Sequence, residues 1–95
     1  MKFYEFDTDT IYAIICANDK CEAKDYFCRC GGEMLYFKDL PTTIKKSLAI
    51  EITTNSTLDN AEKQGEEIEL TEKEVSTGIE VLLKSQKPFT MVWEG

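Results

Sequence analysis

Four cysteines in the first third of the chain offer the clearest chemistry, because thiolates bind metals and form disulfides. They are Cys16, Cys21, Cys28 and Cys30, in a C-x4-C-x6-C-x-C spacing. This spacing lacks the C-x2-C pairs of zinc fingers and ribbons. In a helix, a rise of about 10.5 Å separates Cys21 from Cys28, too far for a disulfide. We therefore expect no metal and no cofactor, with Cys16 and Cys30 in the core. The alternative is an interaction module that is stabilised by a metal ion bound to all four cysteines.

Catalytic groups are scarce in this sequence. The chain has no histidine, no glycine-rich phosphate loop and no nucleophile beside a recognisable base. General acid–base and nucleophilic catalysis therefore lack their usual participants. Paired carboxylates such as Glu66 and Glu67 lie in a polar, solvated run. The sequence predicts a protein that is not an enzyme.

Acidic residues outnumber basic ones, 18 to 11, which gives a net charge of −7. This charge disfavours direct binding to nucleic acid or to an anionic membrane and suits a protein partner with a basic surface. The candidate partner-binding residues are Asp59, Glu62, Glu66, Glu67, Glu69 and Glu72. One hypothesis is that they imitate a phosphate backbone and occupy a nucleic-acid channel on the partner. The alternative is a solvated loop followed by glutamates that suit a helix N-terminus.

Two further binding hypotheses come from other residues. Lys45 and Lys46, close to Tyr36 in sequence, are the one adjacent basic pair and would suit a small ligand such as a nucleotide signal. The aromatic residues are mostly predicted to be core, but two helices cannot cover both faces of a small sheet. Some of them are then expected to form an exposed patch for a second copy or a partner. They are Phe3, Tyr4, Phe6, Tyr12, Tyr36, Phe37, Phe89 and Trp93.

The elements that position these residues follow from hydrophobic periodicity. The predicted strands are Lys2–Phe6, Thr10–Ala17, Glu33–Lys38, Ser47–Thr54 and Phe89–Trp93. The predicted helices are Asp19–Cys30 and Glu72–Ser85. We expect a single α+β domain over residues 1–95, with a mainly antiparallel sheet of about five strands and two helices packed on it. The packing residues should be Phe27, Cys30, Val75, Ile79 and Leu82.

The segment from residue 40 to 52 is ambiguous. Leu48, Ile50 and Ile52 alternate as in a strand with one buried face, whereas Ile44, Leu48 and Ile52 suit a longer helix. Residues 55–67 are polar and acidic and predict a mobile surface loop.

Features of the chain's length and N-terminus predict a cytoplasmic protein. No apolar run approaches the ~20 residues that span a bilayer. The first residues lack the apolar core of a secretory signal peptide.

Residues 12–23, with the sequence YAIICANDKCEA, resemble the opening of short accessory proteins from phages and mobile elements of low-GC Gram-positive bacteria. These proteins commonly begin with a strand, an Ala-Asn or Ala-Ser helix cap and a Glu-Ala in the first helical turn. Residues 69–75, with the later Lys87-Pro88-Phe89, are similar to their C-terminal halves. The resemblance implies a phage anti-defence protein of the anti-CRISPR kind, which inhibits a host defence nuclease in the host cytoplasm.

Overall fold

The computed structural model describes residues 1–32 and 41–94. The elements in this part of the chain are strands β1 (Lys2–Asp7), β2 (Tyr12–Ala17), β3 (Thr42–Ile44) and β4 (Phe89–Glu94), and helices α1 (Lys20–Arg29), α2 (Lys46–Lys63) and α3 (Glu72–Leu83). The α+β class and the antiparallel sheet are confirmed. None of the described helices is both long and apolar enough to cross a membrane.

The sheet has the strand order β3-β1-β2-β4, and every neighbouring pair is antiparallel. Strand β2 therefore lies between β1 and β4. A short turn joins β1 to β2, in which the Thr8 hydroxyl accepts a hydrogen bond from the Ile11 N–H and donates one to the Ile11 carbonyl. The register between β2 and β4 shifts between Ile14 and Ile15.

Helices cover both faces of the sheet, which explains why β2 is apolar on both of its alternating faces. Helix α1 packs on one face, where the buried residues are Tyr4, Phe6, Ala13, Ile15, Ala17, Ala23 and Phe27. Helices α2 and α3 cover the other face, where the buried residues are Phe3, Ile14, Cys16, Ala49, Ile50, Ile79 and Val92. The result is a three-layer arrangement with the sheet in the middle.

The predicted strand Ser47–Thr54 is wrong, because these residues belong to α2. The alternative prediction, a longer helix that carries Ile44, Leu48 and Ile52, is closer to the structure, although Ile44 lies in β3. The hydroxyl groups of Thr53 and Thr54 donate to the carbonyls four residues earlier, at 2.7 and 2.8 Å. Such bonds accommodate threonine in a helix despite its low helix propensity. The predicted loop over residues 55–67 is also wrong for residues 55–63, because these residues belong to α2.

The predicted strand count also needs correction. The described part of the sheet has four strands and its layers contain three helices, not about five and two. The predicted strand Glu33–Lys38 lies outside the described residues. Strand β3 was not predicted, because three residues after a proline carry too little alternation to be recognised. Leu82 was expected in the core, but it is 47% exposed.

Candidate partner-binding surface

Helices α2 and α3 form an antiparallel hairpin whose closed end gathers acidic residues. An ion pair between the Lys46 ammonium and the Glu80 carboxylate joins the first turn of α2 to the second half of α3. Residues 64–71 connect the helices at the other end. There Gly65 has a positive φ of 74°, and the Thr71 hydroxyl caps α3 by accepting a hydrogen bond from the Glu74 N–H.

The six predicted partner-binding residues lie along this end of the hairpin, and we call them the acidic surface: Asp59 and Glu62 in α2, Glu66, Glu67 and Glu69 in the connection, and Glu72 in α3. All six side chains are exposed. Within residues 1–32 and 41–94 the ion pairs are Arg29–Asp25 and Lys46–Glu80, so neither involves this surface. Its carboxylates are therefore free of partners in the described structure.

A cavity of about 300 Å³ adjoins the acidic surface where α2 crosses the end of the sheet. Its lining residues are Tyr12, Ile52, Asn55, Ser56, Asp59 and Glu94. The Ser56 hydroxyl donates a hydrogen bond to the Glu94 carboxylate, which joins α2 to β4. Asp59 belongs to both the cavity and the acidic surface. The two features are thus continuous.

The electrostatics of the cavity are set by Tyr12 and its carboxylate neighbours. The Tyr12 hydroxyl donates a hydrogen bond of 2.6 Å to the Glu5 carboxylate. Burial, and then this bond, raise the pKa of Tyr12 well above its ordinary value, so the phenol stays neutral. The cavity therefore combines an aromatic ring and the aliphatic Ile52 with the carboxylates of Asp59 and Glu94. A cationic group on an apolar stem, such as a lysine or arginine side chain, complements this combination.

The structure does not bring the four cysteines together. Cys16 is buried beneath α2 and α3, and its burial raises the pKa of its thiol to about 11. Cys21, Cys28 and Cys30 are exposed and lie on or at the end of α1, on the other side of the sheet. The expected core position of Cys30 is wrong, because this residue is the C-cap of α1. In the described parts of the chain, no three His, Cys, Asp or Glu side chains are grouped to hold a metal ion.

The other predicted binding residues are dispersed. Lys46 is paired with Glu80, and Lys45 precedes α2 as its N-cap. Their proposed neighbour Tyr36 lies outside the described residues, as does Phe37. Of the remaining aromatic residues named above, Phe3, Tyr4 and Phe6 are buried, and Tyr12, Phe89 and Trp93 are partly buried. The expected exposed aromatic patch therefore does not form from them.

Sequence reasoning missed four exposed aliphatic side chains instead. The exposed large hydrophobic residues of the described structure are Leu48, Ile68, Val81 and Leu82. One signal was present in α3, because the adjacent Val81 and Leu82 point in directions ~100° apart and cannot both face one sheet.

Comparison of the chain with protein-family models, with curated proteins and with solved structures found no match. The fold and the surface define the class: an α+β domain in which an acidic helical hairpin covers one face of an antiparallel sheet.

Proposed function

We propose that the protein is a non-enzymatic inhibitor that binds a basic, nucleic-acid-handling protein through the acidic surface. The observation that carries this proposal is that six exposed carboxylates, without ion-pair partners among the described residues, lie together at one end of the α2–α3 hairpin. Such a surface presents negative charge in the way a phosphate backbone does, and it is complementary to a groove lined by lysine and arginine.

The adjoining cavity supplies the specific part of this binding. Surface charges chiefly accelerate and orient association, whereas a desolvated centre supplies most of the affinity. In our proposal a lysine or arginine side chain of the partner enters the cavity, where Asp59 and Glu94 meet its charge and Tyr12 and Ile52 contact its stem. The ring of Tyr12 and the side chain of Ile52 supply the apolar contact that a purely charged surface lacks.

Our proposal for the identity of the partner rests on the resemblance of residues 12–23 to phage accessory proteins. We propose a host defence nuclease, bound in the host cytoplasm and prevented from engaging its nucleic acid. The resemblance and the acidic surface support the same partner chemistry, since a nuclease presents a basic channel to its substrate.

Charge reversal of the acidic surface tests the proposal. The partner is first captured from host lysate with the full chain and then purified. The variant Glu66→Lys, Glu67→Lys, Glu69→Lys should bind it at least tenfold more weakly at low salt. The matched control is Asp9→Lys, Asp25→Lys, Glu51→Lys, which makes the same change in net charge at exposed positions elsewhere. The control should keep most of the affinity, because local complementarity rather than total charge carries the interaction.

Binding by the wild-type chain should also weaken with salt, because exposed charges are screened over ~8 Å at physiological ionic strength. A captured partner that does not bind nucleic acid would refute the proposal. Equal binding by the two triple variants would refute it as well.

A further inference from the structure

Helix α3 has a second apolar face that nothing in the described structure covers. Its first face, with Ile79 buried and Leu83 partly buried, packs against the sheet. Val81 and Leu82 are 64% and 47% exposed. At ~100° per residue, Val81 and Leu82 both lie within about 60° of the direction of Gly78, whereas Val75 is partly buried and packs against the core, as predicted. Gly78, Val81 and Leu82 form an outward stripe along the helix, which we call the Gly78 stripe.

Gly78 has no packing role among the residues that the structure describes. A Cβ atom built at this position meets no atom within 4 Å, so neither the sheet nor α2 requires a glycine there. Glycine in a helix interior is nevertheless unfavourable relative to alanine. Its usual benefit is the close approach of another backbone, and none of the described residues supplies one here. Gly78 also lies near the middle of α3, where two helices crossing at this residue would have equal lengths on either side.

We propose that a second copy of this chain covers the Gly78 stripe, with the two α3 helices antiparallel and related by a two-fold axis near Gly78. The choice of a second copy rests on charge complementarity. Helix α3 has Glu72 and Glu74 at its N-terminal end, and Lys84 and Lys87 follow its C-terminal end. Antiparallel pairing sets each acidic end beside the basic end of the other helix, and it also aligns the two helix dipoles favourably.

The two-fold axis fixes a register that can be tested. It places the Val81 side chains of the two copies on either side of the close approach at Gly78. Glu74 and Lys84 lie on the same flank of the stripe, so Glu74 of one copy lies near Lys84 of the other, and this pair occurs twice in the dimer. The connections that carry Glu66 and Glu67 lie at opposite ends of the paired helices, which keeps their like charges apart.

The expected dimer is weak. A helix of 12 residues is only about 18 Å long, and one such pair buries less than the ~1,200 Å² of a standard stable interface. We therefore expect a dissociation constant on the order of micromolar or weaker. The measurement is sedimentation equilibrium of the full chain from 1 µM to 1 mM.

The variant Gly78→Ala distinguishes a dimer that packs at Gly78 from a helix face that is only exposed to solvent. Alanine should raise the thermal midpoint of the monomer, because the added Cβ meets no atom of the described residues within 4 Å and improves helix propensity. The same change should weaken dimerisation at least tenfold, because the added Cβ groups meet at the crossing. Val81→Lys should abolish dimerisation over the measured range, and Glu51→Lys, on the exposed side of α2, should leave it unchanged.

Charge exchange tests the antiparallel register. Glu74→Lys and Lys84→Glu should each weaken the homodimer severalfold, because each places like charges at both pairs. An equimolar mixture of the two variants should form a heterodimer at about the wild-type affinity, since both pairs are again of opposite charge. A wild-type chain that stays monomeric at 1 mM, dimerisation unaffected by Val81→Lys, or a mixture without restored affinity would each overturn the proposal. None of these results depends on the partner of the acidic surface.

Discussion

The phenyl ring of Phe27 stacks on that of Phe6, with ring centroids 4.2 Å apart and planes within 5° of parallel. This contact joins α1 to β1, and Trp93 of β4 packs against the same Phe27 ring at 5.3 Å. The end of α1 is part of the same arrangement. A Cβ atom built on Gly32 would lie 2.1 Å from Cε1 of Phe27, so the chain passes over this ring only because residue 32 has no side chain.

Gly32→Ala should therefore destabilise the protein, by about 1 to 3 kcal/mol, since the added methyl group would push Phe27 off its buried stack. Urea denaturation at low micromolar concentration measures the change. The matched control is Gly78→Ala, where the added Cβ meets nothing within 4 Å and where we expect a gain of up to about 1 kcal/mol. Equal effects of the two substitutions would show that Phe27 does not constrain residue 32.

Truncation at two neighbouring positions of α3 should separate its core face from its outward face. Ile79 is 4% exposed and Leu82 is 47% exposed. Ile79→Ala should cost about 2 to 5 kcal/mol, because it leaves a cavity between α3 and the sheet. Leu82→Ala should cost less than about 1 kcal/mol, measured where the chain is monomeric. The reverse order of costs would mean that α3 is rotated relative to the structure described above.

The sequence allowed good predictions where the deciding signals are local. Strand β2 has an apolar run on both of its faces. Gly31 follows Cys30, the C-cap of α1, and its φ of +108° is the left-handed conformation that glycine favours after a helix. Thr71 caps α3 as its sequence motif indicates. The acidic surface was also identified correctly as a set of exposed residues, because a dense run of carboxylates cannot be buried without partners.

The failures occurred where distant parts of the chain decide the structure. The segment Ser47–Thr54 contains Ile and Thr at strand-like spacing but also fits a helix, and its packing on the sheet through Ala49 and Ile50 decides for the helix. The cavity could not be predicted, because it depends on α2 lying beside β4, where Ser56 bonds Glu94 and the β2–β4 register places Glu94 opposite Tyr12. No local pattern contains this information.

The thiols should differ in their reactivity towards a thiol reagent such as DTNB. Cys21, Cys28 and Cys30 are exposed and should react rapidly in the native, reduced protein. Cys16 is fully buried and should react only as the protein unfolds. The expected result is three rapid equivalents and a fourth that appears in denaturant, and Cys16→Ala should remove only the fourth. A fast reaction of four equivalents, or of fewer than three, would contradict the placement of these residues.

The pH dependence of stability should also report on Cys16. Its burial raises the pKa of the thiol from an ordinary value near 9 to about 11 in the folded state. The unfolded chain therefore loses its thiol proton first as the pH rises, and ionisation of the thiol favours unfolding. The stabilising contribution is fully present below pH 9 and is lost as the pH approaches 11, a loss of about 2 to 3 kcal/mol.

Comparison of the wild type with Cys16→Ala isolates this contribution. The two tyrosines with raised pKa values, Tyr4 and Tyr12, also affect stability in alkaline solution. Burial is the largest cause for both and Cys16 is only the last of the causes at Tyr4, so their contribution is nearly the same in both proteins. The variant should be less stable at pH 7, because it loses a buried sulfur atom. Its free energy of unfolding should then fall less steeply than that of the wild type between pH 9 and pH 11. Urea unfolding in the presence of a reductant, at intervals across this range, gives both slopes. Parallel slopes would mean that the Cys16 thiol ionises as readily in the folded protein as in the unfolded chain.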